Sequence, residues 1–319
     1  MSTVTEPATG PQTGLSTGDL IARLREQENR PALVGYLPVG FPTVDRSIEA
    51  LKTLVDHGVD IIELGLPYTD PVLDGPVVQA AAQGALDAGV RVHDVFRVLR
   101  ELTDYAPQVP VVVMTYWNLV LKYGPDAFAR DLTASGGVGL ITPDLIPDEA
   151  ADWLAASDAH GGAGGLDRVF LVAPSSTTER LRLTVNASRG FVYAASLMGV
   201  TGIRSEVGSH AERLVADTRA AGATNVCVGI GVSTGAQAAQ VGRYADGVIV
   251  GSALVRQLLS DGLVPEGPVR DDEWAARLRN LAALTEDLAA GVRSARATAP
   301  ADLPADPAAG PTTTSGEAP

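Results

Sequence analysis

An α/β fold, and within that class a single-domain (β/α)8 barrel of the TIM type, is predicted by two features of the sequence. First, eight short runs rich in Val, Ile, Leu or Phe alternate with segments of helical periodicity over about 220 residues, which is typical of an eight-stranded barrel. Second, the runs are almost continuously apolar, which suits parallel strands covered on both faces. The runs occupy residues 32–37, 60–65, 109–114, 138–141, 168–172, 191–194, 225–228 and 247–250.

An open doubly wound sheet is the alternative fold. Such a sheet usually has fewer strands and a glycine-rich turn after the first of them. Here the first run is followed by Pro-Val-Gly-Phe-Pro at 38–42, and the glycine-rich turns come late, after the seventh and eighth runs. The sequence therefore favours the closed barrel.

The segments between the runs have the periodicity of helices. Residues 47–58 bring Ile48, Leu51 and Leu54 to one face, and Gly58 is suited to end that helix. Residues 271–292 repeat large apolar side chains at similar spacing, which predicts a final helix.

Composition predicts a single catalytic domain between two disordered tails. Residues 1–14 and 296–319 are rich in Pro, Ala, Thr and Gly, with almost no large apolar side chain. Such segments cannot bury enough surface to offset the entropy lost on ordering. We expect the barrel to occupy residues 15–295.

Charge and cysteine content exclude several classes of function. The 319 residues carry a formal net charge of −14, so nucleic acid and anionic membranes are poor partners. The single cysteine, Cys227, rules out an internal disulfide, and the four histidines lack metal-ligand spacing. Without a signal-peptide pattern or a long apolar run, we expect a cytoplasmic enzyme with no metal.

Carboxylates cluster at the end of the second predicted strand. Alternation along residues 60–65 places Glu63 on the face opposite Ile62, so it is expected to point into the barrel near its catalytic rim. Asp70 and Asp74 follow in the next loop, where each is also an ordinary turn residue. Together with Glu63 they allow two carboxyl groups with separate roles in one site.

Two further patterns fit a phosphorylated, flat substrate. Gly231 follows the seventh predicted strand, Gly251 and Ser252 follow the eighth, and Gly202 follows the sixth, so backbone amides there could bind phosphate. Tight turns that simply need glycine are the alternative interpretation. Bulky apolar residues also stand at the strand ends, where they fit either core packing or a pocket. They are Tyr36, Met114, Tyr116, Ile141, Tyr193 and Ile230.

These segments together resemble the alpha subunit family of tryptophan synthase, from about residue 33 to 292. The matching stretches read GYLPVGFPT (35–43), IELGLPYTDPVLDGPVVQ (62–79), TYWNLV (115–120), PDLIPDEA (143–150), LVAPSST (171–177), MGVTGIR (198–204), GIGVST (229–234) and GSALV (251–255). The resemblance implies a (β/α)8 barrel. It also implies retro-aldol cleavage of indole-3-glycerol phosphate to indole and glyceraldehyde 3-phosphate, in L-tryptophan biosynthesis.

The resemblance also implies a role for each matching residue. Glu63 matches the acid–base residue, Asp74 the residue that stabilises the cationic indole nitrogen, and Thr201 the threonine that orients this aspartate. Two larger sets of residues match the family's phosphate-binding residues, here called the phosphate cradle, and its indole pocket. The cradle comprises Gly202, Gly231, Gly251 and Ser252, and the pocket comprises Tyr36, Met114, Tyr116, Ile141, Tyr193 and Ile230.

Partners are likewise implied by the resemblance. Asp70, Pro71 and Asn118 match stretches that face a beta chain. That chain is expected to bear pyridoxal phosphate, to receive indole and to form an alpha2beta2 tetramer, and this chain itself needs no cofactor. A stand-alone lyase that releases indole, a catalytically silent regulatory barrel and, more distantly, a sugar-phosphate isomerase are the alternatives.

Three stretches depart from the family pattern. The loop after the sixth strand contains Leu197 and Met198 where the family often has an arginine, so we expect its closure to differ. Residues 161–165 form a glycine-rich insert, and Tyr68-Thr69 replaces the commoner Phe-Ser. None of these changes either of the two proposed catalytic carboxylates.

Overall fold

The computed structural model describes residues 15–195, 204–259, 264, 267 and 269–296. For residues 163 and 204–209 it describes the backbone alone. The predicted tails lie outside these ranges except for residue 296, and so does the departing loop with Leu197 and Met198.

A closed parallel barrel forms the centre of the molecule. Its strands pair in the order β5-β4-β3-β2-β1-β9-β8-β7-β6, and every strand pair is parallel. Because β5 and β6 are consecutive along the chain, the two ends of this order meet, which confirms the barrel and excludes the open sheet. The strands are β1 (Ala32–Pro38), β2 (Ile61–Gly65), β3 (Val111–Met114), β4 (Gly139–Ile141), β5 (Asp167–Val169), β6 (Leu171–Val172), β7 (Val192–Ala195), β8 (Val226–Gly229) and β9 (Gly247–Val250).

The fifth predicted strand, residues 168–172, is divided in the structure. The carbonyl of Val169 accepts the Thr142 N–H at 3.3 Å, whereas the carbonyl of Phe170 accepts the Tyr193 N–H at 3.1 Å. The chain thus changes from pairing with β4 to pairing with β7 within one residue. A continuous apolar run does not reveal such a change, because both pieces are buried alike.

Helices surround the barrel, as the periodicity predicted. They are α1 (Thr17–Glu28), α2 (Val44–Asp56), α3 (Pro76–Asp87), α4 (Val92–Tyr105), α5 (Trp117–Tyr123), α6 (Pro125–Ala134), α7 (Ala151–Ala159), α8 (Thr178–Ala187), α9 (Arg204–Ala220), α10 (Gly235–Gly242), α11 (Ser252–Leu258) and α12 (Asp271–Ser294). Helix α2 begins earlier than predicted because the Thr43 side chain caps it by accepting the Arg46 N–H. Within the described residues, no helix combines the length and the apolar character needed to cross a membrane.

Helix α1 closes the amino end of the barrel. Its residues Leu20, Ile21 and Leu24 belong to the interior cluster of apolar side chains with Val34. At its first residue, the Thr17 backbone N–H and hydroxyl both donate to Asp167, at 2.8 and 2.6 Å. The carboxyl ends of the strands lie at the opposite end of the barrel, which is where other barrels of this fold place their active sites.

Candidate active site

Glu63 lies inside the barrel at the carboxyl end of β2, where the alternation predicted it. Its neighbours Ile62 and Leu64 pack in the outer core beneath the helices, whereas Ile61 packs in the barrel interior. Only 2% of Glu63 is exposed, and its Oε2 atom has no hydrogen-bond partner among the described residues. A buried carboxylate without a partner is costly, so this position favours the neutral acid.

Burial also sets the protonation of Glu63. Removal from water, and secondarily the negative charge of Asp74, raise the pKa of Glu63 to about 8. The side chain is therefore mostly protonated at neutral pH. A carboxyl group in this state can donate a proton first and accept one afterwards.

Asp74 lies in the loop between β2 and α3, next to the residue that caps that helix. Its N–H donates to the Pro71 carbonyl at 3.0 Å, and its own carbonyl accepts from the Gln79 side chain at 2.7 Å. Partial burial raises the pKa of Asp74 to about 6. At neutral pH Asp74 is therefore mostly ionised while Glu63 is mostly neutral, which gives the two carboxyl groups different roles.

The predicted apolar set surrounds these carboxyl groups at the strand ends. Tyr36, Tyr116, Ile141 and Ile230 are buried, and Met114 and Tyr193 are partly buried. Burial raises the pKa of Tyr36 and of Tyr193 well above the ordinary range, and charge on Glu63 and Asp74 adds to both rises. These electrostatic contacts bring the two phenols and both carboxyl groups into one site.

Two glycines make room for the tyrosine rings, a function that the sequence patterns did not reveal. A Cβ atom on Gly65 would come within 2.4 Å of the Tyr36 hydroxyl oxygen, and one on Gly229 within 2.4 Å of the Tyr193 hydroxyl oxygen. Each glycine ends a strand whose preceding residues are large or apolar. That placement is the one signal by which sequence reasoning could have found them.

The predicted phosphate-binding residues lie at the ends of neighbouring strands. Strands β8 and β9 pair through Gly229 and Ile249, so Gly231 and Gly251 follow them side by side. Gly231 has a φ of +76°, which favours glycine, and Ser252 is the first residue of α11. First-turn amides have no partner inside a helix. The predicted Thr201 and Gly202 lie outside the described residues.

The three residues expected to face a partner lie at the same end of the barrel. Asp70 and Asn118 are exposed and Pro71 is partly exposed. The loop also exposes two apolar side chains that the sequence analysis did not single out, Val72 at 79% and Leu73 at 54%. Neighbouring exposed apolar side chains are typical of a protein–protein contact.

In the part of the chain that the structure describes, no group of three His, Cys, Asp or Glu side chains is arranged to hold a metal ion. The same part contains no ion pair to either Glu63 or Asp74. The two carboxyl groups and the surrounding phenols are side chains that can exchange protons with an apolar ligand.

Comparison with known proteins agrees with this arrangement. The family model described as tryptophan synthase alpha chain matches residues 22–287. The tryptophan synthase alpha chain of Bifidobacterium longum is 56% identical over 269 residues, which cover 84% of this chain and 89% of that protein. The one from Mycobacterium ulcerans is 58% identical over 266 residues, covering 83% and 91%.

Solved structures show the same similarity. A ligand-free tryptophan synthase from M. tuberculosis superposes with a TM-score of 0.75 at 51% identity, covering 87% of this chain and 98% of that one. The aminoacrylate-bound form of the same enzyme gives a TM-score of 0.74 at 51% identity, covering 86% and 98%.

Proposed function

This chain belongs to the tryptophan synthase alpha chain family, and we propose that Glu63 and Asp74 carry out its reaction. As a member of that family it is a lyase of tryptophan biosynthesis that cleaves indole-3-glycerol phosphate. The observation that supports the residue assignment is the buried Glu63 carboxyl, whose Oε2 has no partner among the described residues, beside a second carboxyl whose pKa is lower.

The chemistry of the cleavage requires two such groups. Before the bond between the indole C3 and the glycerol chain breaks, C3 gains a proton and positive charge develops at the ring nitrogen. Neutral Glu63 donates the proton to C3 and, as a carboxylate, then accepts the proton of the hydroxyl group that becomes the aldehyde. Ionised Asp74 stabilises the charge on nitrogen, and since that charge grows toward the transition state, its main effect is on kcat.

Substrate binding divides between two regions of the rim. The apolar set of Tyr36, Met114, Tyr116, Ile141, Tyr193 and Ile230 forms the indole pocket in this proposal. The amides of Gly231 and Gly251, with Ser252, hold the phosphate, and Gly202 completes that group. Thr201 orients Asp74.

Family membership also implies partnership with a beta chain, and we extend this to an alpha2beta2 tetramer. Asp70, Pro71 and Asn118, together with exposed Val72, form the contact in this proposal. Pyridoxal phosphate belongs to the beta chain, and no cofactor is assigned to this one. A cytoplasmic location is part of the same proposal, because an anionic phosphate ester does not cross a membrane unaided.

Incubation of the purified chain with indole-3-glycerol phosphate, with and without a beta chain, tests the proposal. We expect indole release by the chain alone and faster turnover with the beta chain. Equal release in both conditions would point to a stand-alone lyase. No cleavage in either condition would point to a catalytically silent barrel.

A further inference from the structure

A hydrogen bond joins the Asp74 loop to the end of the third strand. The Tyr116 hydroxyl oxygen accepts the backbone N–H of Leu73, one residue before Asp74, at 3.0 Å. Burial, aided by the charges of Asp74 and Asp144, raises the pKa of Tyr116 to about 12, while the backbone amides of Leu73 and Asp74 act in the opposite direction. Only 3% of Tyr116 is exposed, so this phenol is a buried group and not a surface side chain.

A second aromatic residue holds the Tyr116 ring. Tyr68 stacks on it with the ring centroids 5.1 Å apart and the planes 28° from parallel. The Tyr68 hydroxyl in turn accepts from the Asn118 side chain at 3.3 Å. The residues following β2 are thus connected twice to the segment following β3, once through the stacked rings and Leu73 and once through Asn118.

The Asp74 loop has little other support. Among the described residues, the remaining hydrogen bonds of residues 70–74 come from groups at most five positions away, such as Val72 to Asp70 and Gln79 to Asp74. The Val72 and Leu73 side chains are exposed and add little packing. Among the described residues, the hydrogen bond from Leu73 to Tyr116 is therefore the one that joins residues 70–74 to a part of the barrel distant in the chain.

We propose that Tyr116 is a positioning residue whose hydroxyl fixes the Leu73 backbone and thereby the Asp74 carboxyl, with Tyr68 holding its ring in place. The inference rests on the proposed role of Asp74 and goes beyond the placement of Tyr116 in the indole pocket. A carboxylate that stabilises developing charge must be correctly placed before the reaction, because small displacements lower the rate strongly.

Removal of the hydroxyl alone separates positioning from pocket lining. Tyr116→Phe keeps the ring and its stacking, so we expect KM to stay within about threefold while kcat falls by about 10- to 100-fold. Tyr123→Phe is the matched control, since it removes a phenol hydroxyl at the end of α5, the helix that Tyr116 precedes, and that hydroxyl donates to Asp131 at 2.6 Å, away from the loop. We expect unchanged kinetics for the control. A normal kcat in Tyr116→Phe overturns the proposal.

A double variant shows whether Tyr116 acts through Asp74. If it does, Tyr116→Phe combined with Asp74→Asn loses no more kcat than Asp74→Asn alone, because the group being positioned is already removed. If the losses of kcat in the two single variants multiply in the double variant, the proposal for Tyr116 is overturned, while the role of Asp74 is unaffected. A normal kcat in Asp74→Asn alone contradicts the proposed function itself, so the two failures are distinguishable.

Variants at Tyr68 test the second part of the arrangement. Tyr68→Leu removes the stacking ring, and we expect it to lower kcat in the same way as Tyr116→Phe. Tyr68→Phe keeps the ring and loses only the contact with Asn118. We expect a smaller loss of kcat in Tyr68→Phe than in Tyr68→Leu, and the reverse order would show that stacking does not hold Tyr116.

Discussion

Tyr36 and Glu63 are register partners across β1 and β2, which places a phenol beside a carboxyl group at the carboxyl end of the barrel. Burial raises the pKa of Tyr36 well above its ordinary range, and charge on Asp74 and on Glu63 adds to that rise, whereas the pKa of Glu63 is raised by its own burial and by Asp74. Tyr36 is therefore neutral and Glu63 mostly neutral at neutral pH. The nearby charge at that pH resides mainly on Asp74, whose pKa is about 6.

Replacement of Glu63 by Gln should abolish cleavage, because the amide has a similar shape but no acidic proton. We expect kcat to fall by at least about a hundredfold, the usual range for loss of a general acid. Indole release measures turnover, and calorimetric titration with substrate measures binding, which should survive. Glu101→Gln, at an exposed position paired with Lys52, is the control. Near-normal turnover in Glu63→Gln would refute the role.

Asp74→Asn should lower kcat far more than it weakens substrate binding. The reason is that the charge stabilised by Asp74 develops only on the way to the transition state, so we expect a loss of about a hundredfold in kcat. Steady-state kinetics with the beta chain present give kcat and KM separately. If KM rises and kcat is retained, Asp74 only positions the substrate.

The pH profile of kcat/KM should be bell-shaped. Activity rises as Asp74 ionises near about pH 6 and falls as Glu63 loses its proton near about pH 8. Initial rates of indole formation from about pH 5 to 9 give both limbs. In Asp74→Asn the acid limb should disappear from the residual activity, and its persistence would assign that limb to another group.

The buried acid also affects stability. The pKa of Glu63 is about 8 in the folded chain and near its ordinary value of 4.5 in the unfolded chain, so the folded state binds the proton more tightly. Stability from this group is thus full below about pH 4.5 and is lost as the pH rises toward 8. The Glu63→Gln variant does not titrate at this position. The free energy of unfolding of the variant minus that of the parent should therefore be larger at about pH 8 than at about pH 5, by a few kcal/mol.

Urea unfolding of the parent and of Glu63→Gln at about pH 5 and about pH 8 measures that difference, because the midpoint reports the free energy of unfolding when the dependence on urea concentration is unchanged. A Glu63→Gln effect that is the same at both pH values would mean that Glu63 does not titrate with a raised pKa.

Gly229→Ala should impair the substrate pocket while keeping both carboxyl side chains in the sequence. The added methyl group would lie within 2.4 Å of the Tyr193 hydroxyl oxygen, so the ring must move from its position in the pocket. We expect kcat/KM to fall by about tenfold, since small displacements in a site are costly. Gly164→Ala is the control, because a Cβ atom there meets nothing within 4 Å. Equal activity of the two variants would contradict this function of Gly229.

Local sequence patterns determined most of the secondary structure. Near-continuous apolar runs predicted buried parallel strands, and alternation placed Glu63 inside because neighbouring residues of a strand point to opposite faces. The late glycine-rich turns correctly indicated a barrel. Those inferences depend only on residues a few positions apart, which is the range over which periodicity carries information.

Tertiary structure alone decided how distant groups meet. The division of the fifth strand at Phe170, the closure of the amino end by α1, and the bond from Leu73 to Tyr116 each join segments far apart in the chain. The unpartnered state of Glu63 Oε2 likewise depends on every side chain around it. Closure of the barrel brings these residues together, and a one-dimensional pattern does not specify which side chains then come within hydrogen-bond distance.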